Sequence, residues 1–455
     1  MRILFFAIAF AALAAAADDA DDWKRQLEEE RKAREADRQE FERRLAALES
    51  QKNAQLRHDV EEYLEEKDLF AGEKPEATRA GLGSLIDISV ILDVTAGGST
   101  ADDEALGQIN LGDHDPKVRG FNVRNEELVI SADVDPYFYG FLDIVYKISE
   151  DGDSEFELEE AYGLTTSLPA NLQFKVGQFF TEFGRANPTH PHAWEFLNSP
   201  VIIARVLGPD GWRGQGARLS WIAPAPFPLT VLVGAQNAKG ETQVSFLGEE
   251  GETIGDYTLE SRSFAGLSDL AWNARVEASH DLAAWRGTLT ALLGFSFGCG
   301  PNGTGPDANT TLYGTDLYLK WRPERTEAGW PFVAWQTEFL WRDYEAAAQA
   351  TPLVLPGTTY EDWGFYTQVV WAFRRPWTAG VRYDYADSDG VYPGTAQRLS
   401  LAVTYYTSEF GRIRLQLNWD SVAGLDTLVP GASDHAFSVW INFDFSLGKH
   451  GAHKF

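Results

Sequence analysis

Two histidines separated by a single residue are the most distinctive chemical feature of the sequence. His190 and His192 lie in the segment Asn-Pro-Thr-His-Pro-His at 187–192, and alternate side chains of an extended segment share a face. Two imidazoles on one face, with Glu195 as a third ligand, could seed a zinc site. A proline is adjacent to both histidines, and histidines beside proline often serve only to pack a loop. We therefore predict no metal and no cofactor, and keep the zinc site as the alternative.

Catalytic and nucleic-acid functions find little support in the composition. The chain has eight histidines and a formal net charge of -29 at pH 7. No serine stands in a nucleophile motif, so we predict that the protein is not an enzyme. A phosphate backbone requires a basic face. The acidic balance therefore excludes nucleic acid as an expected partner.

The first residues have the pattern of a secretory signal. Arg2 precedes an apolar stretch that runs to Leu13, and small residues follow it. We predict a cleaved signal peptide over 1–17. The single cysteine, Cys299, allows no internal disulfide after export. No later segment has the roughly 20 consecutive apolar residues of a transmembrane helix.

The next segment has the composition of a long helix. Residues 18–70 are rich in charged residues and alanine, and contain neither proline nor glycine. They predict a helical arm, with a linker at 71–83. An apolar stripe on this helix is interrupted at Arg34 and Asp37. Two interpretations remain open: a trimeric coiled coil, or a solvated spacer that reaches the cell wall.

From about residue 84 the apolar pattern has a period of two. Between Leu85 and Thr95 apolar residues alternate with largely polar ones, and the same alternation returns down to 437–447. Residues 84–447 contain about sixteen such runs. An even number of alternating strands is typical of a bacterial outer-membrane barrel. The fold class predicted is therefore all-β, a transmembrane antiparallel β-barrel of about 16 strands preceded by a periplasmic α-helix, with a tail at 448–455.

The connections between the runs alternate in length. Tight turns are predicted at 134–136, 168–170, 223–226, 280–281, 374–376 and 408–410, whereas 97–119, 183–213, 239–268, 299–310 and 345–360 are long and polar. Outer-membrane barrels have short periplasmic turns and long external loops. We therefore expect a location in the outer membrane with the amino-terminal arm in the periplasm. Lipid and lipopolysaccharide are the expected surroundings.

One pair of strands resembles the phosphate-selective porin group. An acidic-Ala-Tyr strand is followed by a Gly-Gln strand that closes on Phe-Gly, and these positions are Ala161, Tyr162, Gly177, Gln178, Phe183 and Gly184. The arm is also similar to that of porins with an amino-terminal coiled coil. The resemblance implies a homotrimeric channel for passive diffusion of small hydrophilic solutes or ions. The basic residues that bind phosphate in that group have no matching motif here.

The resemblance also implies a role for the third external loop, 183–213, which folds into the barrel in similar general porins. The loop is apolar at Trp194, Phe196 and 201–203, which favours packing inside over free disorder. A lid over the outer mouth is the alternative. The predicted constriction and pore-lining residues are Arg185, His190, His192, Glu195, Arg205, Arg218, Arg275, Glu338, Arg382, Arg412 and Arg414.

Charges of both signs are expected on the wet face of the strands. Besides the residues just named, the set comprises Arg286, Lys320, Arg322, Asp87, Asp143, Glu277, Asp316 and Asp384. Interleaved charges could create a transverse field or a net ion preference. Alternatively, they pair across neighbouring strands.

The sequence leaves other functions open. The barrel could anchor the outer membrane to peptidoglycan through 18–70, and a barrel enzyme or a TonB-dependent receptor is a further alternative. A receptor would need a plug domain of more than a hundred residues ahead of the barrel, which these 455 residues do not provide. The barrel assembly machinery would read a terminal aromatic residue, either Phe445 or Phe455.

Overall fold

The computed structural model describes residues 86–149, 152–327, 329–350, 354–392 and 394–448. The predicted signal peptide, helical arm and linker therefore lie outside the described residues, as does the tail beyond Gly448. The fold, the cavity and the side-chain contacts are those of these described residues.

Long antiparallel strands make up most of this part, as the two-residue period predicts. They are β1 (Asp87–Ser99), β2 (Gly120–Val123), β3 (Glu126–Asp135), β4 (Phe138–Ile148), β5 (Ser154–Thr165), β6 (Leu172–Phe180), β7 (Arg213–Ile222), β8 (Leu229–Asn237), β9 (Thr253–Ile254), β10 (Tyr257–Thr258), β11 (Leu270–Ala284), β12 (Gly287–Pro301), β13 (Asn309–Pro323), β14 (Phe332–Ala346), β15 (Thr358–Arg374), β16 (Trp377–Ser388), β17 (Ala396–Ser408), β18 (Gly411–Val422) and β19 (His435–Gly448). Three short α-helices lie in the connections: α1 (Asp103–Ile109), α2 (Val201–Leu207) and α3 (Leu425–Leu428). Short 3-10 turns occur at Pro169–Asn171, Pro191–Ala193 and Leu267–Asp269. Within the described residues, no helix is both long and apolar enough to cross a membrane.

The strands close into a barrel. β1 pairs with β19 on one edge and with β2 and then β3 on the other. β8 pairs with β11, because the β9–β10 hairpin forms a separate two-stranded sheet within the connection between them. β2 and β3 occupy one strand position, so the closed sheet has sixteen positions. This confirms the predicted antiparallel barrel of about 16 strands, and closure leaves no unpaired sheet edge.

Side chains alternate between the two faces of the sheet, as β19 shows. Phe437, Val439 and Ile441 are exposed on the outer surface, whereas Trp440 and Asn442 are buried inside. Neighbouring strands repeat the pattern, so the outer surface is a continuous apolar belt. A belt of this extent suits contact with lipid rather than water.

The connections are sorted by length between the two ends of the barrel. The short ones join β3 to β4, β11 to β12, β15 to β16 and β17 to β18, and β1 begins and β19 ends on that side. The expected turn at 280–281 is wrong, because β11 continues to Ala284 and the turn falls at Trp285 and Arg286. Both turn residues have positive φ, 47° and 56°. Arg286 is therefore a turn residue and not part of the inner wall.

An apolar core lies at the end with the long connections. It unites α1 and α2 with the loop before β9 and with small residues of the wall, and includes Ile109, Ile202, Val206, Trp212, Phe246, Leu312, Leu340 and Leu425. All the side chains of α2 are buried. Loops that contain such side chains gain stability by packing against each other inside the barrel rather than in water.

Candidate functional site in the barrel lumen

A cavity of about 1890 Å³ occupies the part of the lumen nearer the short turns. The inner faces of the strands, the turns at 375–376 and 409–410, and one long connection bound it. Its acidic and basic lining residues are Asp143, Glu160, Lys175, Glu182, Arg185, His190, His192, Glu195, Arg218, Arg275, Glu277, Lys320, Glu327, Arg374, Arg375, Arg382, Glu409, Arg412 and Asp444. The two signs of charge are interleaved, as the sequence indicates.

The connection between β6 and β7, residues 181–212, lies inside the barrel; we call it the inner loop. It reaches the far wall, where the Leu197 amide donates to Gln416 Oε1 at 2.7 Å. The Val201 amide at the start of α2 donates to Asp384 Oδ1 at 3.2 Å. The loop therefore spans the lumen from β6 to β16 and β18.

Arginines of the wall hold the carbonyl groups of the inner loop. Arg412 donates to Trp194 O at 3.0 Å and to His192 O, while its guanidinium pairs with Asp444 at 2.6 Å. Arg414 donates to Trp194 O at 2.7 Å. The N–H donors of these arginines are therefore occupied by the loop. An unpaired arginine in a pore would instead offer them to the passing solute. Charge-assisted bonds of this kind are the stronger class of hydrogen bond.

The same arrangement continues on β16, where Arg382 pairs with Asp384 at 2.9 Å and donates to Asn198 O at 2.8 Å. Two further arginines, which the sequence analysis overlooked, donate to carbonyl groups inside the barrel, one on the inner loop and one at the end of α1. Arg124 donates to Leu197 O at 3.0 Å, and Arg398 to Ile109 O at 3.1 Å. For Arg398 the available signal was the acid opposite it on each neighbouring strand, Asp384 on β16 and Asp420 on β18.

Glu338 fixes the beginning of the inner loop. Its Oε2 accepts from the amides of Arg185 at 3.2 Å and Ala186 at 3.1 Å, and from Tyr366 Oη at 3.0 Å. The Arg185 guanidinium then lies over the Tyr318 ring, 4.1 Å from its centroid. Backbone and side chain of the loop are thus both tied to the wall at this point.

The predicted site residues divide into two groups. Those on the cavity surface are Arg185, His190, His192, Glu195, Arg218, Arg275, Arg382 and Arg412. Arg205, Glu338 and Arg414 are buried away from it. Arg205, on α2, donates to Gly394 O at 3.0 Å and faces the Tyr392 ring, so it joins the inner loop to another long connection.

Many wall charges pair with their neighbours, which is the alternative that the sequence left open. Arg275 contacts Asp316 at 2.5 Å and Glu277 at 2.9 Å. Arg218 contacts Glu182 at 2.8 Å. Other pairs across strands are Arg342–Asp362, Arg398–Asp420 and Arg412–Asp444. Pairing cancels much of the fixed charge that the residue count alone suggests.

The two histidines of the inner loop meet carboxylates of β3, β4 and β5. His192 Nδ1 lies 2.7 Å from Glu127 Oε1. His190 Nδ1 lies 2.8 Å from Glu159 Oε2 and 3.5 Å from Asp143 Oδ2. His190 Nε2 lies 3.0 Å from Glu160 Oε2. We call Glu127, Asp143, Glu159, Glu160, His190 and His192 the histidine–carboxylate cluster.

The composition of the cluster differs from the zinc site considered from the sequence. Glu195, the third ligand considered from the sequence, lies elsewhere on the cavity surface, and wall carboxylates take its place beside the histidines. Burial by itself would lower the pKa of His190, but Glu159 and Glu160 outweigh burial and raise that pKa well above its ordinary value.

The residues on which the sequence resemblance was based serve packing. Ala161 pairs with Gln178 and Tyr162 with Gly177 across β5 and β6. Gly177 has φ of 138°, and a Cβ there would collide with Ala161 O and the Tyr162 backbone. The other motif residues start the inner loop: Phe183 is buried in the apolar core, and Gly184 has φ of 66°.

Comparison with known proteins gives one relative in sequence and several in fold. The chain is 32% identical over 405 residues to an uncharacterized protein of Aquifex aeolicus (strain VF5), covering 82% of this chain and 80% of that protein. No protein-family model matches the chain.

Two solved structures share the barrel architecture. The anion-selective porin from Comamonas acidovorans has a TM-score of 0.50 at 11% identity, over 80% of this chain and 99% of that one. The outer membrane channel DcaP of Acinetobacter baumannii has a TM-score of 0.50 at 13% identity, over 83% of this chain and 100% of that one. At these identities the likeness is one of fold.

Proposed function

We propose that this chain, which belongs to the same family as the Aquifex aeolicus relative, is an outer-membrane channel for passive diffusion of small hydrophilic solutes or ions. One observation carries the proposal. A cavity of about 1890 Å³ with a charged lining lies inside a closed barrel whose outer surface is apolar. Water on the inside and lipid on the outside is the arrangement that a diffusion channel requires.

The sorting of connections supports an orientation. Short turns and the ends of β1 and β19 lie at one end of the barrel, and the long connections at the other. Since short turns are periplasmic in barrels of this class, the cavity opens towards the periplasm in our proposal. The arm at 18–70 then extends into the periplasm.

The inner loop sets the narrowest section in this proposal. It crosses the lumen and is bonded on both sides, by Glu338 near its start and by Arg412 near its middle. The apolar core lies beside it, towards the end with the long connections. Conductance should therefore depend on how firmly the inner loop is held, and loosening its contacts should increase the conductance.

Purified full-length protein in planar lipid bilayers tests the channel function. We expect discrete conductance steps in KCl, with an ion preference that weakens as salt rises because charges in the lumen are screened. The Comamonas acidovorans neighbour is described as anion-selective, so the sign of the reversal potential in a KCl gradient is the informative measurement. A folded barrel that inserts and never conducts would refute the proposal.

The arm gives a second, finer test. The resemblance to porins with a coiled-coil arm supports a homotrimer, whereas a tether to the cell wall would need the arm for its entire role. Deleting 18–68 should leave the single-channel conductance unchanged if the barrel is the channel. If the arm holds the trimer together, the same deletion should lower the mass found by light scattering in detergent to that of one barrel.

A further inference from the structure

The histidine–carboxylate cluster brings several deeply buried carboxyl groups close together. Asp143 is 0% exposed, and Glu127 and Glu159 are 1% exposed. Neither oxygen of Asp143 accepts a hydrogen bond from any described residue. Buried carboxyl groups without bonding partners are costly as anions unless a proton or a cation neutralises them.

Ion-pair networks in proteins usually contain lysine or arginine, whereas the basic residues in contact with this cluster are histidines. Within the described residues, histidines alone lie within 4.0 Å of the four cluster carboxylates: His114, His190 and His192. No lysine or arginine of the described chain comes that close to them.

A neighbouring group makes the contrast clear. Asp113, His114 and Asp210 also converge, but Lys147 and Lys117 reach Asp113, and Arg213 reaches Asp210. Fixed positive charge already balances that group. Around the histidine–carboxylate cluster, the described lysines and arginines form no ion pair within 4.0 Å, and the direct contacts come from histidines.

We propose that the histidine–carboxylate cluster is a binding site for one divalent transition-metal ion of the Zn²⁺ type. Imidazole nitrogen and carboxylate oxygen are the donors that Zn²⁺ takes in proteins. One ligand atom each from Glu127, Asp143, Glu159 and His190 lies within 4.8 Å of the others, as do those of Glu127, His190 and His192.

The spacing is compatible with coordination after a small contraction. Ligand atoms about 2.1 Å from a tetrahedral ion are about 3.4 Å apart. His190 is common to both sets and lies on the inner loop, so rotation of the histidine side chains would supply the closure. The carboxylates lie on three adjacent strands, β3, β4 and β5, which hold them in fixed positions.

Such an ion would join the inner loop to a further part of the wall, beyond the strands that carry the arginines. Arg412 and Arg382 hold the loop from β18 and β16. The metal would hold it from β3 to β5, through His190 and His192. This goes beyond the proposed channel function and does not depend on it.

Metal titration of the full-length protein in detergent tests the proposal. The protein is stripped with a chelator, desalted, and titrated with ZnCl₂ by calorimetry and with CoCl₂ by visible absorption. We expect about one ion per chain, and ligand-field bands of Co²⁺ with nitrogen and oxygen donors in a low-symmetry site. His190→Gln and Asp143→Asn should each weaken Zn²⁺ binding at least about 100-fold, because loss of a supporting group alone weakens such sites by 10–100-fold.

His280→Gln is the matched control, since His280 is exposed on β11 and remote in sequence from the cluster; its binding should equal that of wild type. Retained heat-modifiable gel mobility identifies variants that are folded. Two results would overturn the proposal: wild-type protein that takes up no Zn²⁺ or Co²⁺, or unchanged binding in a folded Asp143→Asn variant. Bilayer conductance measured on the same preparations separates failure of the metal site from failure of the channel.

Discussion

Removing the Arg412 side chain should loosen the inner loop. Arg412→Gln eliminates the guanidinium contacts with the carbonyls of Trp194 and His192. It also leaves Asp444 without its ion pair. Hydrogen bonds to charged groups contribute roughly 1.5–3 kcal/mol each, so docking of the loop should weaken by about 3 kcal/mol or more. A change of about 3 kcal/mol multiplies the undocked fraction by roughly 150.

Single-channel recording measures the consequence. The variant should show larger and noisier conductance than wild type, because the loop leaves the lumen more often. Asp444→Asn separates the two effects of the change: it removes the ion pair but leaves Arg412 able to bond the loop carbonyls, so its conductance should stay near wild type.

A second control tests for effects of charge alone. Arg286→Gln removes a positive charge at the exposed turn between β11 and β12, where no inner-loop contact is made. Its conductance should be that of wild type. If folded Arg412→Gln protein gives the same conductance and noise as wild type, the loop is not held as we describe and the reasoning is refuted.

Two further predictions concern stability and assembly. Gly184→Ala should destabilise the barrel by about 1–3 kcal/mol, because the φ of Gly184 is 66° and a Cβ there would meet the Glu338 carboxylate. The temperature at which the gel mobility of the protein shifts should therefore fall. Gly98→Ala is the control and should not lower that temperature, since the space around the added Cβ is open. Leu415→Arg places a charge on the outward face of β18, at a cost of about 2–4 kcal/mol if the site lies near the bilayer midplane. The yield of protein folded into lipid vesicles should therefore fall. An unchanged yield would contradict lipid contact at this face.

Some features of the candidate site could be anticipated and others could not. The apolar character of Trp194, Phe196 and 201–203 indicated that the third loop packs inside, since such a segment is poorly suited to water. That Arg205 and Arg414 serve packing rather than the cavity could not be anticipated. Their positions depend on how the loop folds, and no local pattern encodes that.

The turn before β12 illustrates the limit of local reasoning. His280 and Asp281 resemble turn residues, yet β11 continues past them, because pairing with β12 persists to Ala284 and Gly287. Backbone hydrogen bonds across strands outweighed the weak local preference of two residues.

The sequence by itself determined the barrel, because the side-chain direction along a strand is set locally and alternates every two residues. The strand count and the sorting of turns from loops followed from the same pattern. Only the tertiary structure decided where the ring closes, between β1 and β19, and how β8 reaches β11 past the β9–β10 hairpin. The tertiary structure alone brought Glu127, Asp143 and Glu159 together with His190. Residues on three strands and a distant loop meet only when the whole chain folds. Inside the barrel the dielectric constant is low, so charged groups that meet there interact strongly.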